Sequence, residues 1–443
     1  MANAGDYVEI HLSKIIYEGI LLESPESEKG LVLLKLDNGY NIGFKSKDIL
    51  EIKVIKKWAT SSASTSTNAK APSKNLTHTS VPKSDDLGKS GGKPKIAMII
   101  TGGTIAARLN SKKGGVDWLD TPESLFKFYP EIFEKVNVSR VEVPFMKASE
   151  DMDYKDWQKM AKAVKSVLDD PKIEGVIITH GTDFLHYTAA ALSFFLRDLN
   201  KPVVLTYSQR SIDRASSDAN LNLRCSALAA ISDIAEVILV GHATSNDDYC
   251  NAMIGTKVRK FHSSRRDAFK VVNDGPIAKI YPDRIEVLKE HNIRKDGKIK
   301  LDLKFEEKVA LLKFYPGQDP DILDFYFNLG YKGVVLEMGA LGHVHTKRAR
   351  LGWTKKLKEV QEKGLIVCGV TQCIYGRTDP LVYSNGRELL ATGIIYLEDM
   401  LAETAFVKLG WVLGHVEWAK DKEKVKEKMF ENIAGELNDR LLE

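Results

Sequence analysis

Two threonines stand directly behind short apolar runs and glycine turns. Ile96 to Ile100 is followed by Thr101-Gly102-Gly103-Thr104-Ile105, and Gly175-Val176-Ile177-Ile178 by Thr179-His180-Gly181-Thr182-Asp183. Glycine lets the backbone turn sharply. Each run therefore leaves a hydroxyl at the carboxyl end of a strand, where α/β sheets bind ligands, and the second adds a carboxylate. A threonine hydroxyl is a poor nucleophile until a neighbour takes its proton. A lysine amine takes a proton only where burial or nearby positive charge depresses its basicity. The segment Gly255-Thr256-Lys257-Val258-Arg259-Lys260 offers Lys260 for that role. Spacing alone does not separate Lys260 from Lys257 and Arg259, which read equally well as solvated cations. The first turn alone reads equally well as a glycine turn with a capping threonine, and it matches neither G-x-G-x-x-G nor a P-loop.

These residues need a scaffold, and the apolar pattern supplies one. From Lys95 onward, apolar strands alternate with amphipathic helices: Ile96 to Ile100, Val176 to Ile178, Val203 to Thr206 and Val237 to Val240. That alternation predicts a parallel sheet covered on both faces. Between Ile280 and Leu303 the pattern breaks into short polar pieces. It resumes with Val309 to Phe314, Gly333 to Leu336 and Leu365 to Val370, which places a catalytic α/β unit at 94–304 and a smaller one at 305–443.

Residues 1–57 read differently. Short alternating runs flank Asp37-Asn38-Gly39, a tight-hairpin signal. A module this small has too little interior for a catalytic pocket and predicts a β-barrel with a docking or positioning role. Residues 58–93 carry Ser, Thr, Lys, Gly and Pro with almost no aliphatic side chains, so burial cannot recover their ordering entropy, and they predict a linker.

The chain has 443 residues, 43% of them hydrophobic, enough for about two or three packed domains. A formal charge of +4 is too mild to argue by itself for a nucleic-acid-binding surface. Cys225, Cys250, Cys368 and Cys373 form neither a C-x-x-C pair nor a zinc spacing and read as free thiols in a reducing compartment. The first residues lack the basic and apolar regions of a signal peptide, no run approaches the length of a membrane span, and a cytoplasmic protein is expected. Asn75-Leu76-Thr77 then reads as a chance sequon, and the charged run from Asp421 to Lys428 as a solvated helix face. His343 and His345 suggest paired ligands on a strand, yet two imidazoles do not make a metal site. Cys250, His242 and His262 lack the signature of a thiol nucleophile.

Taken together, Thr-Gly-Gly-Thr-Ile, Thr-His-Gly-Thr-Asp and Val-x-Lys resemble the bacterial-type L-asparaginase family from about residue 95 to the end. Further motifs narrow the likeness to the D subunits of archaeal glutamyl-tRNA(Gln) amidotransferases. These are Tyr17-Glu18-Gly19, Leu36 to Gly43, His186 to Leu192, Gly255 to Lys260, Ser264 to Phe269, Gln372 to Arg377, Glu398 to Leu401 and Val407 to Leu409. The resemblance implies an asparaginase-like two-domain α/β parallel-sheet sandwich preceded by a small N-terminal β-barrel. It implies Thr104 as nucleophile, Thr182, Asp183 and Lys260 as a linked activating set, and Ser149 and Glu150 as the grip on the substrate's α-carboxylate and α-amino groups. Backbone N–H groups beside the two threonines would form the oxyanion hole.

An enzyme of this kind releases ammonia from glutamine, which a partner uses to amidate glutamate on tRNA(Gln). The resemblance implies no cofactor in this chain, with ATP and Mg on the partner, the E subunit of the same amidotransferase. It also implies a homodimer within a heterotetramer. The sequence supports a separate activating half: carboxylate amidation needs ATP, and this chain carries no P-loop or kinase-like glycine loop. A stand-alone L-asparaginase and a catalytically impaired scaffold are the rival readings. Ser111 stands where the family usually has an assisting tyrosine. Phe184, Tyr207-Ser208 and Glu337-Met338-Gly339-Ala340 also depart from the family pattern, and bulk near the pocket is the expected result.

Overall fold

The computed structural model describes residues 2–22, 24, 30–37, 41–57, 92–110, 115–118, 132, 134–212 and 217–441. Residues 58–91 of the expected linker, Ser111 and the Asn38-Gly39 turn lie outside them.

The N-terminal strands β1 (Tyr7–His11), β2 (Ile16–Leu22), β3 (Leu31–Lys35), β4 (Asn41–Lys45) and β5 (Glu51–Lys56) form one antiparallel sheet in the order β4-β3-β2-β1-β5. Period-two alternation sends Val8 and Ile10 inward, where they meet Leu34 and Phe44 in a small core. Lys35 pairs with Asn41, as a hairpin about the expected turn requires. A short 3-10 turn at Ser46–Asp48, rather than a ladder, joins the two edge strands.

The larger sheet contains β6 (Lys95–Ile100), β9 (Asn137–Glu142), β10 (Ile173–Thr179), β12 (Val203–Thr206), β13 (Val237–His242), β14 (Cys250–Ile254), β17 (Ala278–Ile280) and β18 (Ile285–Val287). Their order is β18-β17-β14-β13-β12-β10-β6-β9. A small hairpin, β7 (Ala107–Asn110) and β8 (Gly115–Trp118), follows the first glycine turn. β11 (Leu196–Arg197) pairs with β19 (Lys300–Leu301), and β15 (Val258–Lys260) with β16 (Phe269–Val271).

The five strands β9, β6, β10, β12 and β13 are parallel, as the apolar runs predicted, but β14, β17 and β18 are antiparallel. The sheet is therefore mixed. Only residues 243–249 separate β13 from β14, too few for a crossover, so the chain must return alongside itself. From β6 the chain moves to one side, to β9, and from β10 to the other. The connection thus reverses between β6 and β10, and a crevice forms at their carboxyl ends, the position expected to bind a ligand.

The C-terminal sheet is parallel in the order β20 (Val309–Lys313), β21 (Gly333–Met338), β22 (Ile366–Thr371) and β23 (Ile395–Tyr396). Helices Leu185–Phe195 and Ala402–Leu413 pack together in a core that draws on both sheets, with Phe194 and Trp411 stacked at 5.9 Å. Both helices are apolar on nearly all faces, which suits elements enclosed on every side. No described helix is long and apolar enough to cross a membrane.

Candidate active site

The two glycine turns meet directly. Thr101 donates its amide and its hydroxyl to the carbonyl of Thr179, at 3.2 and 2.8 Å. Gly102 and Gly103 adopt φ of 123° and 86°. A Cβ on Gly103 would lie 2.5 Å from the amide nitrogen of Gly181. Only glycine combines that φ with that approach. The turn delivers Thr104 to a 3-10 segment, Thr104–Ala106, at the carboxyl end of β6.

Across the crevice, Lys260 Nζ donates to Thr182 Oγ1 at 2.8 Å and to Asp183 Oδ1 at 2.8 Å. Thr182 and Asp183 are themselves 3.5 Å apart through the same oxygens. The Lys260 side chain is only 10% exposed, whereas Asp183 is 59% exposed. The amine is thus fixed from inside the protein while the carboxylate faces incoming molecules.

Ser149 joins this group from a separate segment. Its Oγ accepts from the amides of Asp183 and Phe184, at 3.2 and 3.3 Å, and donates to Glu150 Oε2 at 3.4 Å. Phe184 is the N-cap of helix Leu185–Phe195 and supplies no side-chain cap, so Ser149 satisfies that orphan amide from a distance. Gly181 leaves room for this contact, since a Cβ there would sit 3.0 Å from Ser149 Oγ.

Five of the six expected site residues, Ser149, Glu150, Thr182, Asp183 and Lys260, thus form one hydrogen-bonded group. Thr104 joins it through the backbone packing of its turn. Its hydroxyl has no hydrogen-bond partner among the described residues. A cleft of about 450 Å³ opens beside Ser149 and Glu150 and is walled by Phe184, Tyr187, Trp157, Phe305 and Phe406.

Burial keeps two histidines beside the site, His180 and His186, neutral. His180 is fully buried on the same turn; its Nδ1 bonds the carbonyl of Gly181 at 2.7 Å and its Nε2 meets Thr188 Oγ1 at 3.0 Å. Since a carbonyl only accepts, Nδ1 carries the proton and Nε2 accepts. Burial pushes the His180 pKa down to about 4. Burial, then the charges of Arg259 and Lys260, push that of His186 down to about 3. Burial raises the Glu337 carboxyl above the usual range.

Two departures from the family pattern do not crowd the site. Tyr207 is fully buried, its ring 4.7 Å from that of Phe269 and its hydroxyl donating to the carbonyl of Arg266 at 2.9 Å. Met338 is equally buried, packed where a Cβ on Gly369 would go. Both side chains turn into the core instead of the pocket. Phe184, 45% exposed and in the cleft wall, is the one whose bulk faces the opening.

The other sequence signals resolve into structure. Cys250 is buried with its thiol pushed well above its usual range by burial, and His242 is held between Asn222 and Asp247 at 2.7 and 2.9 Å. His343 and His345 lie outside the strands, against Tyr383 and Phe314 respectively. Sequence reasoning missed Glu403, which pairs with Arg259 Nε at 3.1 Å, and the role of Asp399, which receives Lys257. Asp399 does lie in one of the motifs already noted.

Residues 95–293 match the family described as Asparaginase, N-terminal, residues 308–429 the Glutaminase/Asparaginase C-terminal domain, and residues 2–55 the GatD N-terminal domain. The chain is 44% identical to the D subunit of the glutamyl-tRNA(Gln) amidotransferase of Thermococcus kodakarensis, over 96% of this chain and 91% of that protein. It is 45% identical to the protein of the same name from Pyrococcus furiosus, over 98% and 94%. The L-asparaginase of Thermococcus kodakarensis superposes with a TM-score of 0.69 at 29% identity, covering 78% of this chain and 100% of that one. L-asparaginase I of Vibrio cholerae gives 0.66 at 27% identity, covering 78% and 100%.

Proposed function

This chain belongs to the family of glutamyl-tRNA(Gln) amidotransferase D subunits, and on that premise we propose that it is the glutaminase component of a tRNA-dependent amidotransferase. It hydrolyses the side-chain amide of glutamine and releases ammonia. A partner, the E subunit of the complex, uses that ammonia with ATP and Mg to convert glutamate carried on tRNA(Gln) into glutamine. The observation that carries the chemical reading is the pair of 2.8 Å contacts from Lys260 Nζ to Thr182 Oγ1 and Asp183 Oδ1.

Ser149 and Glu150, which line the cleft, and Asp183, whose amide meets Ser149, hold the α-carboxylate and α-amino groups of glutamine. Thr104 Oγ1 attacks the amide carbon, and the carbonyl oxygen becomes an oxyanion met by backbone N–H groups of the two turns, worth about 3 kcal/mol of barrier per donor. The linked set of Lys260, Thr182 and Asp183 takes the threonine proton and passes it to the leaving nitrogen, which departs as ammonia. The same set then activates water, which releases glutamate and restores Thr104. One glutamine and one water yield one glutamate and one ammonia.

A stand-alone asparaginase leaves the first part of the chain without a purpose. The two L-asparaginase structures are covered completely while 78% of this chain is used, and the remainder includes the GatD-type sheet. Ammonia release from glutamine and from asparagine, measured with and without the partner and glutamyl-tRNA, separates the readings. Full activity from the isolated chain, unaltered by partner and tRNA, would favour the asparaginase.

A further inference from the structure

Lys257, Arg259 and Lys260 are three cations within four residues, yet they have different partners. Lys257 is fully buried; its Nζ meets Asp399 Oδ2 at 2.5 Å and the Asp399 carbonyl at 3.4 Å. The Asp399 carboxylate also accepts from the side-chain and backbone amides of Asn438, at 2.9 and 3.1 Å. Arg259 Nε meets Glu403 Oε1 at 3.1 Å, and the Glu403 side chain is 9% exposed. Lys260 alone reaches across to Thr182 and Asp183.

Strand geometry explains the division. Side chains alternate along β15, so Arg259 and Lys260 leave on opposite faces, while Lys257 is anchored from the turn that leads into the strand. Glu403 lies in the first turn of helix Ala402–Leu413, where an acidic group also meets the positive end of the helix, and Asp399 lies two residues before its N-cap, Leu401. Two further bonds close the same seam: Thr404 Oγ1 donates to the Thr256 carbonyl at 2.7 Å, and Thr256 Oγ1 to the Ala434 carbonyl at 2.8 Å. Residues 256–259 belong to the first asparaginase-type region and 399–404 to the second. β15 is only three residues long and has one hydrogen-bonded neighbour, β16. Its own ladder is too short to fix a side chain to within a fraction of an ångström.

We infer that Lys257 and Arg259, gripped by Asp399 and Glu403 of the C-terminal region, are positioning residues that hold Lys260 on Thr182. The inference rests on the proposed glutaminase chemistry for its kinetic readout, but not for its geometric one. Neither residue lines the cleft beside Ser149 and Glu150. The C-terminal region sets the register of the amine through the face of the strand opposite to it.

The test uses the chain in complex with its amidating partner, with glutamyl-tRNA and glutamine supplied. Arg259→Met and Glu403→Gln lower kcat for ammonia release by about 10- to 100-fold, the scale of a misplaced catalytic group, with KM within about twofold. Glu403→Asp and Arg259→Lys recover part of the loss, and the exchanged pair Arg259→Glu with Glu403→Arg recovers more than either single change. A second readout is the rate of reductive methylation of Lys260, followed by peptide mass spectrometry, which rises several-fold in Glu403→Gln as the amine loses its fixed position. Unchanged kcat, or a raised KM with kcat intact, overturns the inference. If the unmodified complex releases no ammonia from glutamine, the glutaminase reading fails by itself. The methylation rate then decides: a rate equal to that of the unmodified protein overturns the positioning role, and a raised one supports it.

Discussion

Gly103 lies against Gly181 so closely that any Cβ at residue 103 would stand 2.5 Å from the amide nitrogen of its neighbour. The contact joins the carboxyl ends of β6 and β10 at the point where the sheet's connections reverse. It sets Thr104 beside the segment that carries Thr182. Gly103→Ala has to move one turn away from the other and also places a side chain at φ 86°. We expect a stability loss of about 1 to 3 kcal/mol from the backbone conformation alone, read by chemical denaturation. Ammonia release falls by about a hundredfold as the two turns separate.

Lys260 has two short bonds with one amine, a geometry that a guanidinium cannot copy because its planar fork spreads the donors. Lys260→Met and Lys260→Arg should both lower kcat by about 10²- to 10⁴-fold, the range for loss of a positioned acid or base. Steady-state kinetics with glutamine checks this. Activity in Lys260→Arg near that of the unmodified protein would show that only a positive charge is needed.

Ser149 caps helix Leu185–Phe195 from outside it and lies next to Glu150 in the cleft wall. Ser149→Ala leaves the Asp183 and Phe184 amides without their acceptor, at a cost of about 1 to 2 kcal/mol. Because the same hydroxyl lies at the mouth proposed to hold the α-carboxylate, KM for glutamine should rise more than kcat falls. Thermal unfolding and KM measured on one preparation test both parts.

His180 and His186 give stability a defined pH dependence. Each has a folded pKa below the ordinary value of 6.5, about 4 and about 3. Their contribution is fully present above pH 6.5 and is lost as pH falls toward the folded values, because the unfolded chain binds protons that the folded chain refuses. For His180, a difference of about 2.5 pH units corresponds to about 3 kcal/mol. Stability should therefore decline between pH 6.5 and 4, and His180→Gln should show a shallower decline over that window. Equal slopes in the two proteins would contradict the neutral, buried assignment.

Much of the scaffold was legible because its cause is local. Apolar runs ending in glycine turns marked β6 and β10, and the turns could only place Thr104 and Thr182 at carboxyl ends. The antiparallel return of β14, β17 and β18 was not legible, since strands of three to five residues leave no distinctive period. Lys260 could not be told from Lys257 and Arg259 without the resemblance, because what distinguishes them is Asp399 and Glu403, about 140 residues later in the chain. The bulk expected from Tyr207 and Met338 went into the core for the same reason: direction depends on neighbours that are remote in sequence.

The central claim is that Thr182, Asp183 and Lys260 act as one group that frees ammonia from glutamine for an amidation on tRNA. The most direct measurement is ammonia release from glutamine by the complex with its amidating partner and glutamyl-tRNA, comparing the unmodified chain with Thr182→Ala. The account predicts a loss of at least about a hundredfold in Thr182→Ala, with the folded structure retained by circular dichroism. Release at the unmodified rate by Thr182→Ala would contradict it.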